Sequence, residues 1–198
     1  MHRNYHHGNL REALVSEGVK LIEEKGVNGL TLREIGVRAG VSRTAAYRHF
    51  SDKSDLLAAI GEAAFTEFAA ALQTARDHAE GNYYVRLDAM GRAYLKFAAE
   101  HRAYYEVMFG VGCDFDKDAL SKSEAGEHAF AVLKGTIQEG QDAGEIRAGD
   151  VELMATLVWA FSHGVAMLRF ALGLETDTAA DQFMSAVSDL IRNGLQPR

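Results

Sequence analysis

The chain has 198 residues, 47% of them hydrophobic and 25% charged, which excludes a disordered polyelectrolyte and fits one or two globular domains. Acidic residues outnumber Lys and Arg by 28 to 21, and the net charge of -7 argues against coating nucleic acid by bulk charge. That charge is uneven, with a balance of +2 over residues 1–55 and -9 over residues 56–198. The single cysteine, Cys113, excludes an intramolecular disulfide and fits a reducing cytoplasm; an unreactive thiol is its default reading. The N-terminus, with Arg3, Asn4, His6 and His7, lacks the apolar run of a signal peptide. The apolar stretch 153–174 is interrupted by Ser162, His163 and Arg169, so it reads as a buried helix of a soluble core and not as a membrane span.

In chain order the pattern is helical throughout, and the only proline is Pro197. Asn9 with Glu12 forms a capping box, and Leu10, Leu14, Gly18, Leu21 and Ile22 share one face before Gly26 stops the helix. Thr31 with Glu34 is a second capping box, flanked by Leu30 and Ile35 in staple positions. That helix ends at Ala39, because Gly40 offers a left-handed turn. Ser42 caps a third helix to about Phe50, and Ser51 or Asp52 caps a fourth carrying Leu56, Ile60, Ala64, Phe68 and Leu72 towards Gly81-Asn82. Further helices are expected over 84–99, 119–141 and 151–172, the last capped by Asp150 after the turn 144–149, and from Asp177 or Thr178 onward.

Residues 31–53 carry the functional signal. Two short helices meet at Ala39-Gly40-Val41, with Gly36 and Ala39 small where they cross and Ile35, Val41 and Phe50 able to fill a shared core. This is the pattern of a helix-turn-helix, whose second helix enters the major groove. Arg33, Arg38, Arg43, Arg48 and Lys53 stand against only Glu34 and Asp52, a balance of +3 where phosphates would be met. A solvated face on an ordinary helical hairpin would show the same charges, so charge alone does not decide.

The residue string from Ile35 to Phe50, followed by Asp52-Lys53 and Leu56-Leu57, closely resembles the N-terminal domain of the TetR family of transcriptional regulators. Gly36 departs from it, since alanine is usual there. The resemblance implies an all-α fold. A three-helix helix-turn-helix DNA-binding domain, residues 1–55, is joined through helix four to a helical ligand-sensing and dimerisation domain, residues 56–198. It implies DNA-contacting roles for Thr31 and Ser42, through hydroxyls and helix N-termini, and for Arg33 among the basic residues. Tyr47, His49 and Lys53 are similar to the family's phosphate contacts, with core packing as the other reading of Tyr47. Arg43, Thr44 and Arg48 are candidates for base edges, arginine for guanine acceptors and threonine for a thymine methyl, with a solvent-facing charge as the other reading of Arg48. For residues 2–7 an arm on DNA and an unstructured tail both fit.

The implied partners are double-stranded operator DNA, a second copy of the chain through helices 151–172 and 177–193, and an unidentified small-molecule effector, with no cofactor. Trp159, His163 and Gly164, with the preceding turn, resemble a TetR subgroup named for its Trp-His-Gly signature. Candidate effector-lining residues are Tyr94, Phe97, Tyr104, Met108, Phe130, Trp159, His163 and Met167, each of which reads as plain core before it reads as pocket lining. The expected function is a ligand-responsive, homodimeric repressor of a palindromic operator in the cytoplasm. The alternative is the same DNA-binding fold controlled by a protein partner. An enzyme is not expected, because there is no phosphate-cradling glycine loop, nucleophile elbow or zinc pattern. Glu124, Glu127 and His128 could share a helix face, which reads as a solvated face before it reads as a metal site.

Overall fold

A computed structural model describes residues 10–109, 123–173 and 177–195, the last segment with side chains over 182–194. Nine α-helices are described: α1 (Leu10–Lys25), α2 (Leu32–Arg38), α3 (Arg43–His49), α4 (Lys53–His78), α5 (Tyr83–Glu100), α6 (Arg102–Phe109), α7 (Glu124–Asp142), α8 (Val151–Leu172) and α9 (Asp177–Leu195). A 3-10 turn at Val27–Gly29 joins α1 to α2, and the described residues contain no strand. The fold is all-α, as expected.

Capping chemistry sets the helix starts. Thr31, Ser42 and Asp150 have extended backbones and accept the amides of Glu34 (3.3 Å), Ala45 (3.2 Å) and Leu153 (3.1 Å). Asp52 rather than Ser51 caps α4, accepting from Asp55 N at 2.9 Å. Asn82 caps α5 through Val85 N, so α4 ends at His78 and α5 starts at Tyr83, slightly off the expected bounds. The break before α6 was not anticipated, because neither Gly nor Pro marks it. Asn9 and residues 119–122 lie outside the described residues.

Packing divides these helices into two units. The first holds residues 10–65 and 101–109, so α6 packs with helices far from it in the chain, against α1 and the 3-10 turn. Leu14, Leu21, Ile35, Phe50, Leu56 and Ile60 are each 0% exposed and form its core. Each such side chain contributes about 1.5–3 kcal/mol by leaving water. Gly18 allows the close approach, since a methyl there would stand 2.9 Å from Ile60 Cδ1.

In the second unit α5 is central, packing against α7, α8 and α9. Phe68 meets Tyr94 and Phe97 edge-on, with ring centroids 5.1 and 5.2 Å apart. Helix α8 buries Met154, Ala155, Val158, Ser162, Val165 and Ala166 but leaves Leu153, Leu157, Phe161, Leu168 and Leu172 between 44% and 62% exposed. Phe183 and Leu190 of α9 are exposed as well. By length and composition alone, α8 is also long and apolar enough to cross a bilayer.

Two glycines near the turn after α2 differ in what they require. Gly40 has φ +69, a conformation strained for any side chain, whereas a methyl on helical Gly36 would stand 3.4 Å from Ala46 Cβ, at the edge of ordinary contact. Gly36→Ala is therefore expected to stabilise the chain by about 0.5–1 kcal/mol and Gly40→Ala to destabilise it by about 1 kcal/mol. Thermal unfolding checks this, and midpoints shifting in the same direction would contradict it.

Candidate nucleic-acid interface

Helices α2 and α3 are each only seven residues long, too short to persist unsupported, and backbone hydrogen bonds close the end of α2 at the turn between them. Val41 N donates to Gly36 O at 2.9 Å and Gly40 N to Val37 O at 3.1 Å, the paired bonds of a Schellman ending with Gly40 left-handed. Ser42 follows at once as the cap of α3, so the direction changes within three residues. Gly36 and Ala46 are both buried at the crossing, and Phe50 closes the core beneath it.

This arrangement turns α3 outward. Arg43, Thr44, Tyr47 and Arg48 are exposed along one helical face, and Ala46 is buried behind it. Tyr47 is 43% exposed with the Arg43 guanidinium over its ring at 5.3 Å, so the core-packing reading of Tyr47 does not hold. Thr31, Arg33 and Ser42 are exposed, whereas His49 and Lys53 are half-buried. The hydroxyls of Thr31 and Ser42 each accept a helix amide and keep an O–H to donate. Lys53 Nζ lies 3.5 Å from Asn28 O, beside the 3-10 turn. Arg33, Arg43 and Arg48 have no ion pair among the described residues.

The charge count needs one correction. Arg38 does not join the outward arginines: its Nη1 and Nη2 donate to the two carboxylate oxygens of Glu24 at 2.8 and 2.6 Å, and Nη2 also reaches Glu34 at 3.3 Å. Lys25 pairs with the same Glu34 oxygen at 2.6 Å, so the reciprocal half of the Thr31–Glu34 capping box is not made. These cations, chiefly Arg38 for Glu24 and Lys25 for Glu34, hold both carboxyls below their usual range. The Glu24–Arg38 pair spans fourteen positions and two helices, so no helical spacing rule reveals it.

The eight candidate effector-lining residues are divided between the units. Tyr104 and Met108 lie on α6 in the first, where Met108 is 1% exposed and Tyr104 stacks on His101. In the second, Tyr94 Oη and His163 Nδ1 are 3.0 Å apart, and the His163 ring lies 5.7 Å from Trp159, which meets Phe130 edge-on at 6.4 Å. Phe97 joins through Phe68, and Met167 is half-buried on α8. A separate cleft between α5, α8 and α9 holds about 20 Å³, room for one water. It is lined by residues including Tyr84, Asp88, Gly91, Ser162, Met184 and Ser188, and by none of those eight. There Ser188 Oγ donates to Asp88, which also accepts from Arg92 at 2.8 Å, a polar tie between α5 and α9 that the sequence pattern did not single out.

Burial pushes the His163 imidazole below its ordinary pKa. The unfolded chain therefore takes up the proton first, and stability is expected to fall as pH drops through the free-histidine value of about 6.5 towards the lower folded value. Denaturant midpoints recorded between about pH 7.5 and 5.5 should fall more steeply for the native chain than for His163→Gln. Equal slopes would contradict this account of His163.

Residues 14–60 match the family model described as bacterial regulatory proteins, tetR family, and residues 87–190 match a tetracyclin repressor-like C-terminal domain. The transcriptional repressor BepR of Brucella suis is 46% identical over 70 residues, 34% of this chain and 34% of that protein. The class C tetracycline repressor of Escherichia coli is 41% identical over 56 residues, 28% of this chain and 26% of its own. The chain thus spans about a third or less of these curated relatives. A solved structure of a Rhodococcus sp. RHA1 protein of unknown function is 34% identical with a TM-score of 0.83, covering 98% of this chain and all of the other. The regulator FadR of Bacillus subtilis, solved with stearoyl-CoA, shares the fold at 17% identity and a TM-score of 0.77, over 93% and 99% of the two chains.

Proposed function

The chain belongs to the TetR family of bacterial regulatory proteins, and from that premise we propose that it is a cytoplasmic DNA-binding transcriptional repressor. In this reading it occupies a palindromic operator as a homodimer and is released by a small-molecule effector. The observation that carries the reading is the outward face of α3, where Arg43, Thr44, Tyr47 and Arg48 stand exposed on a helix fixed by a tight turn. Residues 1–55 read DNA, and residues 56–198 sense and dimerise. We assign the C-terminal half to the Trp-His-Gly subgroup on Trp159, His163 and Gly164.

Each contact has a chemical role. Arg33, Tyr47, His49, Lys53 and the caps Thr31 and Ser42 meet phosphates, which fix register without reading sequence. Arg43, Thr44 and Arg48 meet base edges. One head covers too few base pairs for strong binding, so two are required. The exposed leucines and aromatics of α8 and α9 supply that interface, burying the apolar half of α8 against a second copy. A dimer accounts for this apolarity without a membrane.

Release follows from linkage. Helix α4 contributes Lys53–Phe65 to the first unit and Thr66–His78 to the second, so a ligand that favours one position of α4 biases the spacing of the two heads. Polar Tyr94 and His163, beside Trp159 and Phe130, are the effector contacts in this reading.

Tyr47→Ala is expected to weaken binding to all duplexes by about 2 kcal/mol per head, because it removes a hydrogen bond to a charged group. Arg43→Ala should instead relax the preference at one base pair, at a cost of about 1–3 kcal/mol. Binding titrations at moderate salt separate the two, and undiminished binding by Tyr47→Ala would remove its phosphate role. Sedimentation should show a dimer for the native chain and a monomer for Leu157→Asp with Phe161→Asp. A native monomer at micromolar concentration would contradict the interface.

A further inference from the structure

Arg38 sits in the middle of the helix-turn-helix yet is turned away from its outward face. Arg33 and Val37 form the exposed stripe of α2, while Glu34 and Arg38 form the neighbouring stripe that faces the last turn of α1. Both terminal nitrogens of the Arg38 guanidinium, Nη1 and Nη2, are held by Glu24 in a two-bonded fork, and Glu34 is shared between Arg38 and Lys25. The four charges cancel. The side chain of Arg38 is 24% exposed, so most of its surface lies against protein.

The clamp acts at the end of α2 next to the turn. Leu32, Ile35, Gly36 and Ala39 seat one face of α2 and its C-cap in the core, and the clamp holds a second face, beside exposed Val37. A seven-residue helix is held in place by its contacts more than by its own propensity. Since the turn after Arg38 passes in three residues to the cap of α3, tilt of α2 at this end is transmitted to α3. We propose that Arg38 is a positioning residue for DNA reading: gripped by Glu24, it sets the attitude of α2 and hence of α3, and it contacts no phosphate. The proposal rests on the DNA-binding reading above.

It makes an unusual demand on Glu24. Removing a carboxylate near a DNA-binding surface normally strengthens binding, by lessening repulsion or freeing its arginine for phosphate. If the clamp positions α3, Glu24→Gln must weaken binding instead. Glu24 is half exposed and the substitution nearly isosteric, so the variant keeps its fold.

The test uses the full chain and the duplex that the native chain enriches from a random-sequence pool. Glu24→Gln, Arg38→Ala and the double variant are titrated across a range of salt. An exposed bidentate pair makes about three-fold per head the expected loss, hence about ten-fold for two heads, in each single variant. The double variant should lose little more than either single one, and the salt slope should not change. Tighter or unchanged binding by Glu24→Gln overturns the proposal. So does a slope lowered by about one per head in Arg38→Ala, which marks a lost phosphate contact. If the native chain enriches no duplex, the DNA-binding reading fails, and the clamp is then tested by amide exchange on free protein. Faster exchange in α2 and α3 of Glu24→Gln with α4 unchanged supports the clamp, and unchanged exchange in all three overturns it.

Discussion

Everything in the candidate reading head depends on one backbone conformation. With Gly40 left-handed, Val41 N reaches back to Gly36 O, and α2 is closed and redirected in three residues. That lets two seven-residue helices cross at Gly36 and Ala46, where both residues are small. The crossing buries Ala46 and thereby aims Arg43, Thr44, Tyr47 and Arg48 at solvent. A side chain at position 40 would strain the turn, and the outward face would lose its definition before any of its residues changed.

The second constraint is apolar area. Helix α8 is hydrophobic almost all round, and one chain covers only part of it, leaving leucines and Phe161 in water. Water disfavours such a patch, and a symmetric partner relieves the cost on both copies together. In the proposed dimer the -9 balance of residues 56–198 works alongside this, because an acidic body discourages loose attachment to DNA and leaves binding to the two heads.

Local rules were legible in the sequence, and distant ones were not. Thr31, Ser42 and Asp150 announce helix starts because a cap is a contact over three residues, and Gly40 announces a stop because its conformation excludes most side chains. The outward residues of α3 follow from the same rules together with the family resemblance. The break at His101 was hidden because no breaker residue marks it. The capture of Arg38 by Glu24 was hidden because it joins two helices across a turn, and the same holds for the Asp88–Ser188 tie between α5 and α9. The family resemblance groups Phe130, Trp159, His163 and Tyr94, which do lie close, whereas Tyr104 and Met108 belong to the first unit. Helical spacing tells which face of a helix is apolar and not which neighbour that face meets.

The account as a whole claims that two such heads read a symmetric site. Sequencing the duplexes that the full chain retains from a random pool tests it most directly. The account predicts a palindrome whose half-sites are centred about one turn of B-DNA apart, or a small multiple of it. An enriched single half-site without symmetry, or no enrichment, would contradict it.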